Sequence, residues 1–254
     1  MTTDELRRAI RLDELTAAQR WFPDGARVLE IGAGSGWQAR ALADRGYGVD
    51  AVDLAGGAYE ACEVFPVQKY DGHTLPYADQ SFDVVFSSNV LEHVPAIEAM
   101  LAETARVLAP GGVAVHVMPS SAWRAWTCVT HYAYAARVLY TLLAGHRDRD
   151  RDLFLERNLA ALASSGEHPA RRAIRRLVPQ RHGETGSALD EFWLFSSRRW
   201  SRVFRRAGWQ LNSVEPAGLF YTGYFALGGT LPIAVRRRLA AVLGSACTVY
   251  VASR

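Results

Sequence analysis

The ten residues VLEIGAGSGW constrain this chain more than any other stretch of it. A short apolar run leads directly into Gly32, Gly34 and Gly36, and a helix-like segment follows. Glycines at such places permit positive φ and let backbone amides approach a ligand closely, so the run predicts a strand, a tight loop and a helix start facing a binding site. A second apolar run, YGVDAVDL, ends near Asp53, which stands 21 positions after Gly32. A carboxylate there can accept hydrogen bonds from both hydroxyls of a ribose, so a ribose-containing ligand is expected.

The rest of the chain extends this strand-helix rhythm. An N-terminal helix precedes the first strand, and GWQARALADRG reads as a helix ending near Gly46. AGGAYEAC then reads as helical, FPVQKYD as extended, FDVVFSS as a strand, and PAIEAMLAETARVL as a helix stopped by Ala109, Pro110, Gly111 and Gly112 before the strand VAVHVMP. Short apolar strands alternating with helices of this length predict an α/β fold with a parallel sheet covered on both faces. From Ser120 to about Asp190 the rhythm breaks into an aromatic helix, the stretch HRDRDRD and the arginine-rich PARRAIRRLVP. This segment reads as a helical cap inserted after the fifth strand. The rhythm resumes with the helix SSRRWSRVFRRAG, the strand WQLNSVE, a helix around Val235 to Leu243 and the strand CTVYVAS. The expected division is therefore 1–119 (N-terminal helix and cofactor half), 120–190 (cap) and 191–254 (closing part of the same domain).

Dinucleotide-binding enzymes use similar logic, but their fingerprint needs a small residue where this chain has Trp37. An NAD-dependent oxidoreductase is thus the weaker alternative, and Trp37 is expected to pack under the loop. The spacing G-x-G-x-G, preceded by Glu30 within the strand, resembles motif I of the class I S-adenosylmethionine-dependent methyltransferases, of the type 11-like kind. The likeness continues through Asp71 and Gly72 in KYDGHTLPYADQSFDVV, through SFDVVFSSNVLEHV, and through RVLAPGGVAVHVMP. The resemblance implies a Rossmann-like seven-stranded sheet of order 3-2-1-4-5-7-6 with a reversed last strand. It implies S-adenosyl-L-methionine as cofactor, held by Glu30, Gly32, Ala33, Gly34, Gly36, Asp53, Leu54, Asp71, Gly72, Asn89 and Val90. In it, Asp71 receives the adenine amino group, and the exit of the fourth strand meets the methionine portion. Each residue also has a plain structural reading: Asp53 as a helix cap, Asp71 as the head of an Asx turn with Gly72, and Asn89 as a cap on the following helix.

Composition narrows the acceptor only a little. A formal charge of +3 over 254 residues does not favour a nucleic-acid partner, and the D/N-P-P-Y/F sequence of base-amine methyltransferases is replaced by Ser88, Asn89, Val90 and Leu91. Cys62, Cys128 and Cys247 are far apart, with neither metal nor disulfide-framework spacing, which fits a reducing, cytoplasmic setting. The N-terminus lacks an export signal, and Arg124, His131 and Arg137 interrupt the most apolar stretch, so no spanning helix is expected. No metal is expected, since no H-E-x-x-H or cysteine cluster is present.

Attack on a sulfonium methyl mainly needs alignment and desolvation, with a general base only where the acceptor must lose a proton. His93, in LEHV beyond the fourth strand, is the candidate base, or equally a histidine tying loop to helix. His182 and Glu184, in HGETGSALDEFW, are candidates on the rim of an acceptor site, whereas His116 in an alternating strand reads as a core residue. The aromatic cap WRAWTCVTHYAYAARVLYTLLA could line a pocket, and Arg171, Arg172, Arg175 and Arg176 share a helix face that could rest on an anionic membrane. The function expected is methyl transfer to a small-molecule or lipid-like acceptor, with the arginine face read either as a peripheral membrane contact or as a solvated surface of a packed helix. The alternative from another class is a cofactor-binding regulatory or scaffold protein without transfer. The oligomeric state is not legible.

Overall fold

The computed structural model describes residues 3–56, 62–143, 179–223 and 230–254. Helix α1 (Thr3–Gln19) is followed by β1 (Arg27–Ile31), α2 (Trp37–Ala43), β2 (Gly48–Leu54), β3 (Gln68–Tyr70) and β4 (Phe82–Ser88). A 3-10 turn (Leu91–His93) leads into α3 (Ile97–Val107), β5 (Leu108–Pro119) and the long α4 (Ser121–Leu143). The chain closes through α5 (Glu191–Leu194), α6 (Ser197–Arg206), β6 (Gln210–Pro216), α7 (Ile233–Leu243) and β7 (Cys247–Ser253).

The strands form one seven-stranded sheet in the order β3-β2-β1-β4-β5-β7-β6, the order that the family resemblance implies. β7 runs antiparallel to both of its neighbours, and the other recorded pairings are parallel. The pleat sorts the central strands onto two cores, because successive side chains point to opposite faces. Val28, Val84, Phe86, Val115 and Val251 pack toward Leu6, Ile10 and Leu15 of α1 and Leu42 of α2. Leu29, Ile31, Val85 and Ala114 pack toward Met100 and Leu101 of α3 and Trp200 and Phe204 of α6. Burying each of these large side chains contributes about 1.5–3 kcal/mol.

Strand β5 starts earlier than expected. Its pairing begins at Phe82 with Leu108, slips, and resumes at Val84 with Val113. The segment Ala109–Gly112 read as a stop therefore forms an irregularity inside the strand, and a Cβ at Gly112 would come within 2.8 Å of the Asp83 carbonyl oxygen. Trp37 also departs from expectation: as the first residue of α2 it is 37% exposed, with the Arg8 guanidinium 4.1 Å from its ring centroid. An exposed indole gains more from a cation over its face than from wedging beneath a loop already filled by Glu30. The helix read in AGGAYEAC falls mostly outside the described residues, as do HRDRDRD and the arginine-rich helix with Arg171, Arg172, Arg175 and Arg176. Among the described residues no helix is long and apolar enough to cross a membrane.

Candidate functional site

The strand order reverses between β1 and β4, and the carboxyl ends of the parallel strands open a crevice at that point, where ligands of α/β sheets bind. The glycine loop forms one wall. Gly32, Gly34 and Gly36 have φ of 72°, 58° and 79°, and the Gly32 and Ala33 amides donate to the Val52 carbonyl at 2.8 and 3.1 Å. A Cβ at Gly32 would lie 2.4 Å from Val90 Cγ2. The loop and the exit of β4 thus touch through a glycine that nothing larger can replace.

Asp53 braces this wall. Its Oδ2 accepts from the Gly34 amide at 2.6 Å and its Oδ1 from the Leu54 amide at 2.7 Å. It clamps the loop and sits half-exposed at the strand end, with lone pairs left for hydroxyl donors, while the helix that it would cap lies mostly outside the described residues. Glu30 lies beneath the loop, 2% exposed, where burial pushes its carboxyl up to about 8 against the pull of a bond from the Ala39 amide. It supports the start of α2 from below. Leu54 is exposed and covers Gly72, whose φ of 80° leaves no Cβ in the way of Leu54 Cδ2. Asp71 does head a turn: its Oδ1 accepts from the His73 and Thr74 amides at 2.8 and 2.9 Å, which hold the carboxyl below its ordinary value. Both bonds fall on the same oxygen, so Oδ2 is not engaged in them.

Asn89 stands at the bottom of the crevice with φ of 56°. It does not cap the following turn. Its Nδ2 donates to Ser88 Oγ at 3.2 Å and Glu14 Oε2 at 3.4 Å, and its Oδ1 accepts from Cys247 Sγ at 3.6 Å. Glu14, wholly buried, also accepts from Arg11 Nη1 at 2.6 Å and from the Tyr221 hydroxyl at 2.5 Å. Sequence reasoning missed this polar knot. The available signal was an acid on the apolar stripe of α1, between Ile10 and Ala18.

The opposite wall begins two residues beyond Val90. Glu92 is buried, both of its carboxylate oxygens lack a hydrogen-bond partner, and burial pushes it up to about 8. Its Oε1 lies 3.8 Å from His93 Nε2 and 3.9 Å from His182 Nε2. The two imidazoles meet edge to face at 4.9 Å, and Trp123 of α4 stands 4.8 Å from His182. Burial lowers His93, against the pull of Glu184 and Glu191. Burial, His93 and two arginines lower His182 to about 4. Both rings are therefore neutral at pH 7. Glu184 is exposed, and its amide donates to the Glu92 carbonyl at 3.3 Å.

An ion pair holds the His182 loop in place. Glu191 Oε1 accepts from the His182 and Gly183 amides at 2.5 and 2.7 Å, while its Oε2 lies 3.1 Å from Arg124 Nη1, with both side chains buried. Arg124 further donates to the Ala188 and Gln180 carbonyls. His116 lies elsewhere, in the sheet core, bonded to Ser87 Oγ at 2.8 Å. The structure thus brings His93, His182 and Glu184 to one wall and the loop residues to the other, and it adds Glu92 and Glu191, which sequence reasoning did not single out, together with Trp123 and Arg124 of the aromatic cap.

The crevice combines the half-exposed carboxylate of Asp53, a backbone cradle that a Cβ at Gly32 would fill, and the turn-heading carboxylate of Asp71, a set that suits a nucleoside-bearing sulfonium cofactor. Comparison with known proteins agrees. The methyltransferase-domain family matches residues 29–116. An uncharacterized methyltransferase of Mycobacterium sp. (strain KMS) is 37% identical over 153 residues, covering 56% of this chain and 60% of that protein. The chain therefore spans less than two thirds of the length of that curated relative. An S-adenosylmethionine-dependent methyltransferase from Mesorhizobium loti shares the fold at a TM-score of 0.54 with 17% identity, covering 95% of this chain and 98% of that one. One from Archaeoglobus fulgidus does so at 0.54 with 15% identity, covering 97% and 94%.

Proposed function

We propose, from a chain whose residues 29–116 match a methyltransferase-domain family, that it moves a methyl group from S-adenosylmethionine to a small-molecule or lipid-like acceptor. The observation carrying this reading is the junction at Val90. A glycine cradle clamped by Asp53 lies on one side of it, and the half-buried imidazoles of His93 and His182 lie on the other.

When bound, the cofactor supplies a methyl group on a sulfonium, a leaving group that needs no further activation. Asp53 would hold the ribose hydroxyls, Asp71 Oδ2 the adenine amino group, and the backbone at Gly32, Gly34, Asn89 and Val90 the methionine portion. Glu30 keeps the loop seated from below. Trp123 and Phe195 help exclude water beside His182. His93 and His182, being neutral, offer lone pairs toward the acceptor, for a proton or for a cation.

Acceptor choice belongs in this reading to the segment 120–190, whose described parts supply Trp123, Arg124 and the loop His182–Glu184. A peripheral membrane contact rests on the arginine-rich stretch beyond the described residues. On the folded surface, Arg198, Arg202, Arg205 and Arg206 of α6 line a shallow basic shelf that would add to it.

Titration calorimetry tests the core of the proposal. S-adenosylhomocysteine should bind with one-to-one stoichiometry and NAD should not, and preferential NAD binding overturns the assignment. Release of S-adenosylhomocysteine from S-adenosylmethionine with a panel of hydroxyl, amine and carboxylate acceptors then separates an enzyme from a scaffold, which would bind without turnover.

A further inference from the structure

We propose that Glu92, His93 and His182 form a divalent-metal site on the acceptor side of the crevice. One carboxylate oxygen and two imidazole nitrogens lie within 4.8 Å of one another. Two imidazoles and a carboxylate suit zinc and the neighbouring first-row divalent ions, and three protein ligands leave a position open for water or an acceptor oxygen.

Three features of the surroundings point the same way. Glu92 is buried with neither carboxylate oxygen in a hydrogen bond, and an ionised carboxylate in that state carries a desolvation penalty that a bound cation would offset. The loop bearing His182 is anchored without using the Glu92 carboxylate, by the Glu191 carboxylate on two successive amides, by the Arg124–Glu191 ion pair behind it and by the Glu184 amide on the Glu92 backbone carbonyl. A ligand loop held by an outer shell of this kind is a recurring mark of built metal sites. Two aromatic rings flank the His182 imidazole, Trp123 at 4.8 Å and Phe195 at 6.3 Å, while the charges of Glu184, Glu191, Arg11 and Arg124 also reach the two histidines.

The three ligand atoms must draw together to take up an ion. Bonds of about 2.0–2.1 Å to a tetrahedral ion place ligand atoms about 3.4 Å apart, whereas the separations from Glu92 Oε1 are 3.8 and 3.9 Å and the whole set lies within 4.8 Å. His93 and His182 are 37% and 38% exposed, so their rings have room to turn inward. Arg11 pairs with Glu14 and Arg124 with Glu191, and although Arg11 also acts on Glu92 through space, neither Glu92 carboxylate oxygen has a hydrogen-bond partner.

The role of such an ion, holding an oxygen of the acceptor, rests on the methyltransferase reading, but its binding does not. The test uses the full chain, treated with chelator and then titrated with Zn2+ alone by calorimetry and with Co2+ alone by visible absorption. One equivalent should bind, and Glu92→Gln and His182→Ala should each weaken binding by at least about tenfold. Affinity for S-adenosylhomocysteine, measured on the same samples, should stay within twofold, which reports an intact fold and keeps the metal question apart from the cofactor question. If Glu92→Gln fails to fold, the half-exposed His182→Ala carries the test. Absence of saturable Zn2+ and Co2+ binding to the unmodified chain, or affinity unchanged by substitution, overturns the site.

Discussion

On the Gly32 side of Val90 the crevice is made of backbone, and on the Glu92 side it is made of side chains. The first wall closes through a bond between Gly34 and Asp53, 19 residues apart, along adjacent parallel strands. The second needs α4 to reach a loop much later in the chain, with Arg124 bonding to Ala188 across 64 residues. Backbone geometry depends on where glycine is allowed, so the first wall tolerates little change in residue type and much change in its neighbours. Side-chain clusters depend on which residues converge, so the second wall can be rebuilt for another acceptor while the first stays fixed.

The sharpest way to break this contrast is to cut the support of the second wall. Arg124→Met strands Glu191 as a buried, unpaired acid, and should cost about 3–5 kcal/mol of stability in urea unfolding. Where the variant still folds, S-adenosylhomocysteine affinity should remain within about twofold of the parent, since the arginine touches nothing in the loop. A parallel loss of cofactor affinity would show that the walls are not separable. Gly32→Ala attacks the other side. Its Cβ would meet Val90 at 2.4 Å with φ at 72°, and strain and overlap together should cost on the order of 3 kcal/mol, read as at least tenfold weaker cofactor binding by calorimetry.

How much of each wall the sequence revealed follows from the same contrast. The glycine loop and the strand that ends near Asp53 were legible from local spacing and short apolar runs, whereas the strand order came from the family resemblance those motifs carry. Glu92 was overlooked beside His93, although Glu92 is the buried member of the pair, because burial of a residue in a short 3-10 turn leaves no periodic trace. Glu14 and Glu191 become meaningful only through partners remote in sequence, Tyr221 and Arg124. The early start of β5 was hidden for another reason: Pro110 and two glycines read as a break, and only the register with β4 turns that break into an irregularity within a strand.

Two smaller effects sharpen the comparison. Asp53→Ala removes the clamp on Gly34 and the expected ribose contacts, and should weaken S-adenosylhomocysteine binding by about 1–3 kcal/mol, with Zn2+ affinity unchanged in the same protein. His116 lies in the sheet core, apart from both walls, and burial holds it down at about 3. Above pH 6.5 the ring is neutral in folded and unfolded chains alike and contributes no slope. As pH falls through 6.5 the unfolded chain gains the proton first, so stability is lost progressively down to about pH 3, by roughly 2 kcal/mol at pH 5. Urea midpoints at pH 7 and pH 5 measure this, and His116→Gln should make the fall shallower. An unchanged fall would assign the slope to other groups, His182 first among them.

The polar knot under Asn89 also sets a timetable for making the protein. Glu14 belongs to the first helix, yet its hydroxyl partner Tyr221 is 207 residues further on, and the Cys247 thiol that completes the group lies in the last strand. At a ribosomal pace of about 5–20 residues per second, that separation is roughly 10–40 s of synthesis. Until Tyr221 is made Glu14 has its Arg11 partner but not the hydroxyl, while the apolar stripe of Leu6, Ile10 and Leu15 can already meet Val28, Val84, Phe86 and Val115. The acid of α1 is therefore among the last groups to settle, and a nascent chain halted before Tyr221 should leave that helix less protected from proteases than the full chain.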